Sequence, residues 1–431
     1  MTKPISETHT GSQAEIVRQS LKRRYRKEMR FRAYGIAAIS VALLALVVLF
    51  ADIIGKGYTG FLKTTVTLEV TFDPELMYLE DATDEIALRN ADYLAPLLNA
   101  LKRELPDVSG RQQERALKGL LSSYASSDLR DLVEADPSVM GTTRTLSFLA
   151  SDEVDVFVKH RDDTDYSIQL SEQQQQWTDT LLERGVIETS FNDLFFTNGD
   201  SREPGNAGVL GAMVGSLLTM LVTLFLSFPI GVAAAIYLEE FAPQNRFTDF
   251  IEVNINNLAA VPSIIFGLLG LAIFINLFGM PRSVPVVGGL VLMLMTLPTI
   301  IISSRAAIKS VPPSIREAAE GIGASKMQVV LHHVLPLAMP GMLTGSIIGM
   351  AQALGETAPL LLIGMVAFIV DVPGGFFDSA TVLPVQIFLW AGSPELGFIE
   401  RASAAIMVLL TFLISMNALA IWLRKRLERR W

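Results

Sequence analysis

Gln352 and Glu356 stand four residues apart in an otherwise apolar run, 337–370. A carboxylate in such a run is costly unless it meets a partner or lines a wet cavity, so it marks a candidate site for a polar solute. On a helix the two side chains share one face. Pro359 cannot donate a backbone hydrogen bond, and the carbonyl it frees can also line a cavity. Gly355 and Thr357 flank the carboxylate. The alternative is structural: Glu356 makes an ion pair that holds two subunits together. Asn254, Asn256 and Asn257, in the run 250–278, form a second polar cluster, either in a span or at the interface.

Other residue types offer less chemistry. The segment GIGASK at 321–326 resembles a phosphate cradle, but it lacks the GxxxxGK[ST] spacing and no strand precedes it. ATP-driven work would therefore need a partner's nucleotide site. His332 and His333 are adjacent, so on a helix they point about 100° apart and cannot share a metal as an i, i+4 pair could. They read as ordinary interface residues. With no cysteine in the chain, disulfides and thiolate chemistry are excluded. Asp152, Glu153 and Asp155, and then Asp162, Asp163 and Asp165, lack a calcium-loop pattern and read as a solvated acidic surface. His160 reads as isolated. No catalytic residue, metal site or cofactor is expected.

These residues are carried by about six apolar runs, near 34–54, 208–238, 250–278, 286–304, 337–370 and 399–423. Each is long enough for a hydrocarbon core, which takes roughly 20 residues. The expected fold is mostly α: a polytopic helical membrane protein of about six spans. Small residues at every fourth position (Gly341, Gly345, Gly349, Ala353) form a close-packing stripe, with a weaker version at Gly211 and Gly215. Between two runs lies a polar, helix-prone stretch, REAAEGIGASKMQVVLHHVLP at 316–336. Good helix formers through Glu320 give way to Gly321 and Gly323, and a second helix starts near Ser325. Two short helices with a flexible joint at the membrane face make a docking surface.

The net charge of −9 is segregated. Residues 56–203 hold 28 acidic against 14 basic side chains, which leaves the remainder at +5. Basic residues crowd before the first run (Lys22 to Arg32) and after the last (Arg424 to Arg430). Beside membrane spans this pattern sets topology rather than nucleic-acid binding, and it puts both termini in the cytoplasm with the acidic region outside. The first run lacks a cleavage site and reads as a retained helix. In the acidic region, 64–72 alternates as a strand and 143–149 is a second candidate strand. Helical patterns occupy 84–105, 112–122, 128–134 and 171–184, the last closed by Gly185. An extracytoplasmic α+β domain is expected between the first two spans.

Glu317, Ala318, Ala319, Gly323, Leu335 and Pro336 resemble the EAA loop of ABC-importer permeases. GETAPL at 355–360, VPSIIFG at 261–267, AIYLEE at 235–240, KSVP at 309–312 and LPVQI at 383–387 with Trp390 resemble phosphate permeases of the PstA type. The resemblance covers about 208–423 and implies a type I permease core. It implies partners as well: a homologous second permease, two cytoplasmic ATPase subunits and a periplasmic phosphate-binding protein, in a bacterial inner membrane among lipid. On this reading 1–33 is a basic cytoplasmic tail, 34–54 the first span and 55–205 the external domain. Residues 206–424 are the permease domain with its coupling loop at 316–336, and 425–431 a basic tail. The EAA residues would couple to the ATPase, which supplies the hydrolysis. Gln352, Gly355, Glu356, Thr357 and Pro359 would line the path.

Two positions depart from the family. His333 stands where an aliphatic residue is usual, and Gln352 where Arg is common. Positive charge for an anion must then come from a partner or from backbone N–H groups. A carboxylate at Glu356 accepts a proton-bearing anion such as phosphate and repels sulfate. Competing readings are a permease for molybdate or sulfate, a secondary transporter that needs no ATPase, and a membrane sensor.

Overall fold

The computed structural model describes residues 10–79, 85–161, 169–366 and 368–427. Asp162, Asp163 and Asp165, together with Arg429 and Arg430, lie outside the described residues. Helix α1 (Thr10–Gly57) runs unbroken for 48 residues, about 72 Å at 1.5 Å per residue. That is far more than its apolar stretch needs for a bilayer core. Its basic N-terminal half carries an Arg32–Glu28 pair at 2.6 Å, one turn apart.

Strand β1 (Leu62–Thr71) follows, then helices α2 (Glu85–Asn90), α3 (Leu94–Glu104), α4 (Arg111–Lys118) and α5 (Ala125–Ala135). Next come β2 (Thr143–Leu149), α6 (Asp152–Lys159), α7 (Glu172–Glu183), β3 (Ile187–Phe191) and α8 (Leu194–Thr197). The sheet order is β2-β1-β3, both pairings antiparallel. Val66, Leu68 and Val70 of β1 are buried on one face against Leu97, Leu129 and Leu181 of the helices. The other face carries hydroxyl pairs, Thr67 with Ser147 at 2.8 Å and Thr71 with Thr143 at 3.0 Å. Period-2 alternation in β1 thus becomes a two-layer α+β unit. The single helix expected over 84–105 is two, because Asp92 Oδ1 accepts from the N–H groups of Leu94 and Ala95 and starts a new helix.

The remainder is helical: α9 (Leu210–Ile236), α10 (Arg246–Ala259), α11 (Ser263–Gly270), α12 (Pro285–Lys309), α13 (Pro313–Gly321), α14 (Lys326–Val329), α15 (Leu335–Gly355), α16 (Ala358–Leu362), α17 (Leu383–Ala391) and α18 (Leu396–Leu427). Among the described residues five helical runs are long and apolar enough to cross a membrane, or six if one bent pair counts as a span. That pair, α10 with the run Ser263–Leu277, is bent by 102°, so 250–278 is not the straight span its hydropathy implies. Pro262 is the cause: it lacks an N–H and pushes the preceding residue out of helical conformation. Asn254, Asn256 and Asn257 sit exposed on α10, the arm that is bent away. The run 337–370 likewise does not continue as helix. It stops at Gly355, resumes briefly as α16 and then crosses an extended segment to α17.

The small-residue stripe on α15 packs against α12. A Cβ at Gly341 would lie 2.7 Å from Ala307 Cβ, and one at Gly345 only 1.7 Å from Ser303 Oγ. The weaker stripe meets no helix: Gly215 approaches the backbone carbonyl of Thr381 in the extended segment.

Candidate functional site

The helical run Lys326–Gly355 carries a candidate feature at each end. At its start the chain makes an elbow. Helix α13 begins with Pro313, which suits a first turn that has no use for its N–H. It ends in a Schellman arrangement: Gly323 has φ +90, Gly323 N donates to Glu320 O at 2.9 Å and Ala324 N donates to Ala319 O at 3.1 Å. Ser325 then caps α14 reciprocally with Gln328. The joint is therefore a built reverse turn, not the flexible link expected from two glycines, and Gly321 is still inside α13. Nor is the second helix short. It continues through a π-turn, Val330–Val334, into α15. The π-turn accommodates Pro336, which has no N–H to give to the preceding turn.

Ala319 is buried with Val311, Val329 and Val334, which pins α13 to the helix ends behind it. Glu317 and Ala318 face outward beside Ile322, 83% exposed, and Met327, 54% exposed. His332 and His333 are exposed on the π-turn, while Leu335 and Pro336 are half-buried inside the run. Behind the elbow lies an ion-pair network. Arg316 Nη2 is 2.7 Å from Glu240 Oε1, and Arg305 reaches Glu239 at 3.3 Å and Glu252 at 2.9 Å.

At the other end Gln352 is exposed and Glu356 half-buried. Glu356 sits just past the helix, with φ −78 and ψ 125. The two side chains therefore do not share a helical face as i, i+4 spacing implies. The break comes from Pro359, whose missing N–H obliges the chain to restart α16, with Thr357 O accepting from Leu360 N and Leu361 N. Among the described residues the Glu356 carboxylate has no hydrogen bond or ion pair, and Gly355 faces open space. Gly267 of VPSIIFG backs this break: a Cβ there would lie 2.6 Å from Pro359 Cα. The Arg282 stem lies against Gly364, just beyond α16.

A third polar centre was hidden in the sequence. His160 Nε2 lies 2.5 Å from Glu400 Oε1, and Lys159 Nζ lies 2.6 Å from Asp155 Oδ2 and 3.7 Å from Glu400 Oε2. Arg401, 2% exposed, donates through Nε to Pro204 O at 3.0 Å and through Nη1 to Gly60 O. Asp155 Oδ1 accepts from Thr64 N at 2.9 Å. Asp152 Oδ1 is buried without a partner, and a Cβ at Gly397 would lie 1.9 Å from it. Burial first, then the carboxylates of Asp155, Glu153, Glu395 and Glu400, push Asp152 up to about 7. Asp152 and Asp155 are thus not a solvated surface, and His160 is not isolated. The signal was the adjacent Glu400-Arg401 pair at the start of an apolar run, since such charges persist only when partnered. Among the described residues no cluster could hold a metal ion.

A profile described as "Binding-protein-dependent transport system inner membrane component" matches residues 227–431, and one described as a domain of unknown function (DUF3333) matches 18–167. A "Probable ABC transporter permease protein YqgI" from Bacillus subtilis is 33% identical over 42% of this chain and 60% of its own length. The Mycobacterium leprae "Phosphate transport system permease protein PstA" is 30% identical over 56% of this chain and 73% of its own. The Haemophilus influenzae "Phosphate transport system permease protein PstC" is 30% identical over 50% of this chain and 76% of its own. Among solved structures, an inward-facing MetNI methionine ABC transporter aligns at 19% identity and TM-score 0.41, covering 51% of this chain and 96% of that one. With that profile match and 30% identity over 73% of the Mycobacterium leprae permease, the chain belongs to the inner-membrane permease family of binding-protein-dependent ABC importers.

Proposed function

We propose that the chain provides half of the translocation path for inorganic phosphate in an ATP-driven importer. A homologous second permease supplies the other half, two cytoplasmic ATPase subunits drive the cycle, and a periplasmic phosphate-binding protein delivers the cargo. Both termini and the elbow lie in the cytoplasm, with the α+β unit outside. The observation that carries this reading is one continuous helical run with a feature at each end. Lys326–Gly355, 30 residues and roughly 45 Å long, starts at the elbow and ends at the Glu356 break. Displacement at the elbow is delivered along that rod to the break. The exposed apolar side chains Ile322, Met327 and Leu331 beside Glu317 and Ala318 suit a protein partner. Names of relatives from Mycobacterium and Haemophilus support phosphate as cargo.

At the break, Gln352, Gly355, Glu356, Thr357 and Pro359 line the path from this side. Glu356 accepts a hydrogen bond from a protonated phosphate oxygen, whereas sulfate, with no proton to give, meets only repulsion. Arg282 beside Gly364 is a cation of this chain placed near the end of α16. The test is uptake into vesicles holding the assembled complex. Phosphate entry should require ATP, and Glu356→Gln should erode discrimination against sulfate roughly ten-fold, the worth of one charged hydrogen bond. Uptake without ATP would favour a secondary carrier. Unchanged uptake and selectivity in Glu356→Gln would remove the carboxylate from the path, and wild-type preference for molybdate or sulfate would replace the cargo.

A further inference from the structure

The elbow has a half-buried attachment that its docking face does not require. Arg316 sits in the first turn of α13, one residue before the exposed Glu317. Its side chain turns inward and uses all three nitrogens. Nη1 donates to Val311 O at 2.7 Å, and Nη2 donates to Ile308 O at 3.0 Å and to Glu240 Oε1 at 2.7 Å. Nε donates to the same carboxylate oxygen at 3.2 Å. Ile308 lies in the last turn of α12 and Val311 two residues past its end, where the macrodipole is negative, so a cation is suited. Glu240 lies in the π-turn Tyr237–Phe241 that ends α9. One guanidinium therefore joins three elements: α13, the end of α12 and the end of α9. A second layer continues outward. Arg305 of α12 pairs with Glu239 of that π-turn and with Glu252 of α10, and Lys309 reaches Glu239 at 3.5 Å.

We propose that Arg316 is a positioning residue for energy coupling, with Glu240 as its seat: together they make α13 move as one body with the inner ends of α9 and α12. The proposal rests on the reading of the elbow as the ATPase contact. Its physical basis is geometric. A planar fork with four bonds fixes both the distance and the angle between α13 and the helix ends, which an ammonium on a flexible stem cannot do. The pair is largely shielded (Glu240 is 9% exposed and Arg316 23%), so it is less screened than an exterior ion pair. Without it, α13 keeps its outward docking face and its Ala319 contact. A push on that face is then absorbed at the elbow instead of reaching the spans.

The experiment uses the assembled complex, purified and reconstituted in vesicles, with Arg316→Ala, Arg316→Lys and Glu240→Gln. ATPase copurification, ATP hydrolysis and phosphate uptake are measured on the same preparations. In Arg316→Ala the ATPase should remain bound and hydrolysis persist, while phosphate moved per ATP falls roughly ten-fold, a typical allosteric coupling factor. Arg316→Lys should not rescue, because the fork and not the charge is needed. Glu240→Gln keeps shape and folding and should lower the ratio in the same direction by a smaller factor. A wild-type ratio in Arg316→Ala overturns the proposal, and so does loss of the ATPase from that complex, which would make the residue part of docking. If Arg316→Ala does not fold, an unchanged ratio in Glu240→Gln overturns it alone. Wild-type uptake with no ATPase present is a different failure: it removes the coupling reading beneath.

Discussion

Asp152 offers a pH experiment whose sign and size can be worked out. Its carboxyl is pushed from 3.8 up to about 7 by burial first and then by Asp155, Glu153, Glu395 and Glu400. A raised carboxylate holds its proton longer folded than unfolded, so the folded state is favoured at low pH. That advantage is lost as pH rises from about 4 to about 7. Each pH unit in the window is worth about 1.4 kcal/mol, and two such units lie between pH 5 and pH 7. The positive N-terminal end of α6, where Asp152 is the first residue, returns up to about 1 kcal/mol to the ionised form. Asp152→Asn keeps the shape and cannot ionise. It should therefore gain about 2–3 kcal/mol on wild type between pH 5 and pH 8. The assay is the thermal midpoint of the full chain in detergent, measured for both proteins across that range. Curves that stay parallel from pH 5 to 8 would refute the reasoning, as would a gain for Asp152→Asn on the acid side.

Two further substitutions probe the elbow and the buried arginine. Gly323→Ala forces a side chain onto φ +90 and should cost about 1–2 kcal/mol, loosening ATPase copurification in proportion; wild-type retention of the ATPase would refute it. Arg401→Lys keeps the charge but cannot reach both Gly60 O and Pro204 O, so the thermal midpoint should fall by the equivalent of roughly 3 kcal/mol; an unchanged midpoint would show that the two carbonyls find other donors.

What was legible in the sequence was local. Alternation in 64–72 predicts β1, and the Ser325 and Gly323 signals predict where α13 stops and α14 starts, because a cap or a positive φ is written in one or two residues. Strand β3 was missed because its IETSF has only Ile187 buried, so no alternation of apolar residues marks it. The centre at Glu400 and Arg401 was missed for a different reason. Its partners Lys159 and His160 lie some 240 residues away, and a charge run that is solvated reads the same as one that is neutralised from a distance. At the Glu356 break the spacing misled: α15 stops at Gly355, four residues before Pro359, which cancels the i, i+4 face.

Arg401 has one more consequence. Gly60 and Pro204 bracket the whole α+β unit in sequence, yet both carbonyls are held by a single guanidinium. Two acceptors on one fork lie on the order of 5 Å apart. The unit thus leaves the helical core and returns to it at almost the same spot, like a cassette clipped into a slot. A short linker could close that gap without re-routing any span, so a core with the cassette and a core without it are neighbours in sequence space, separated by one insertion.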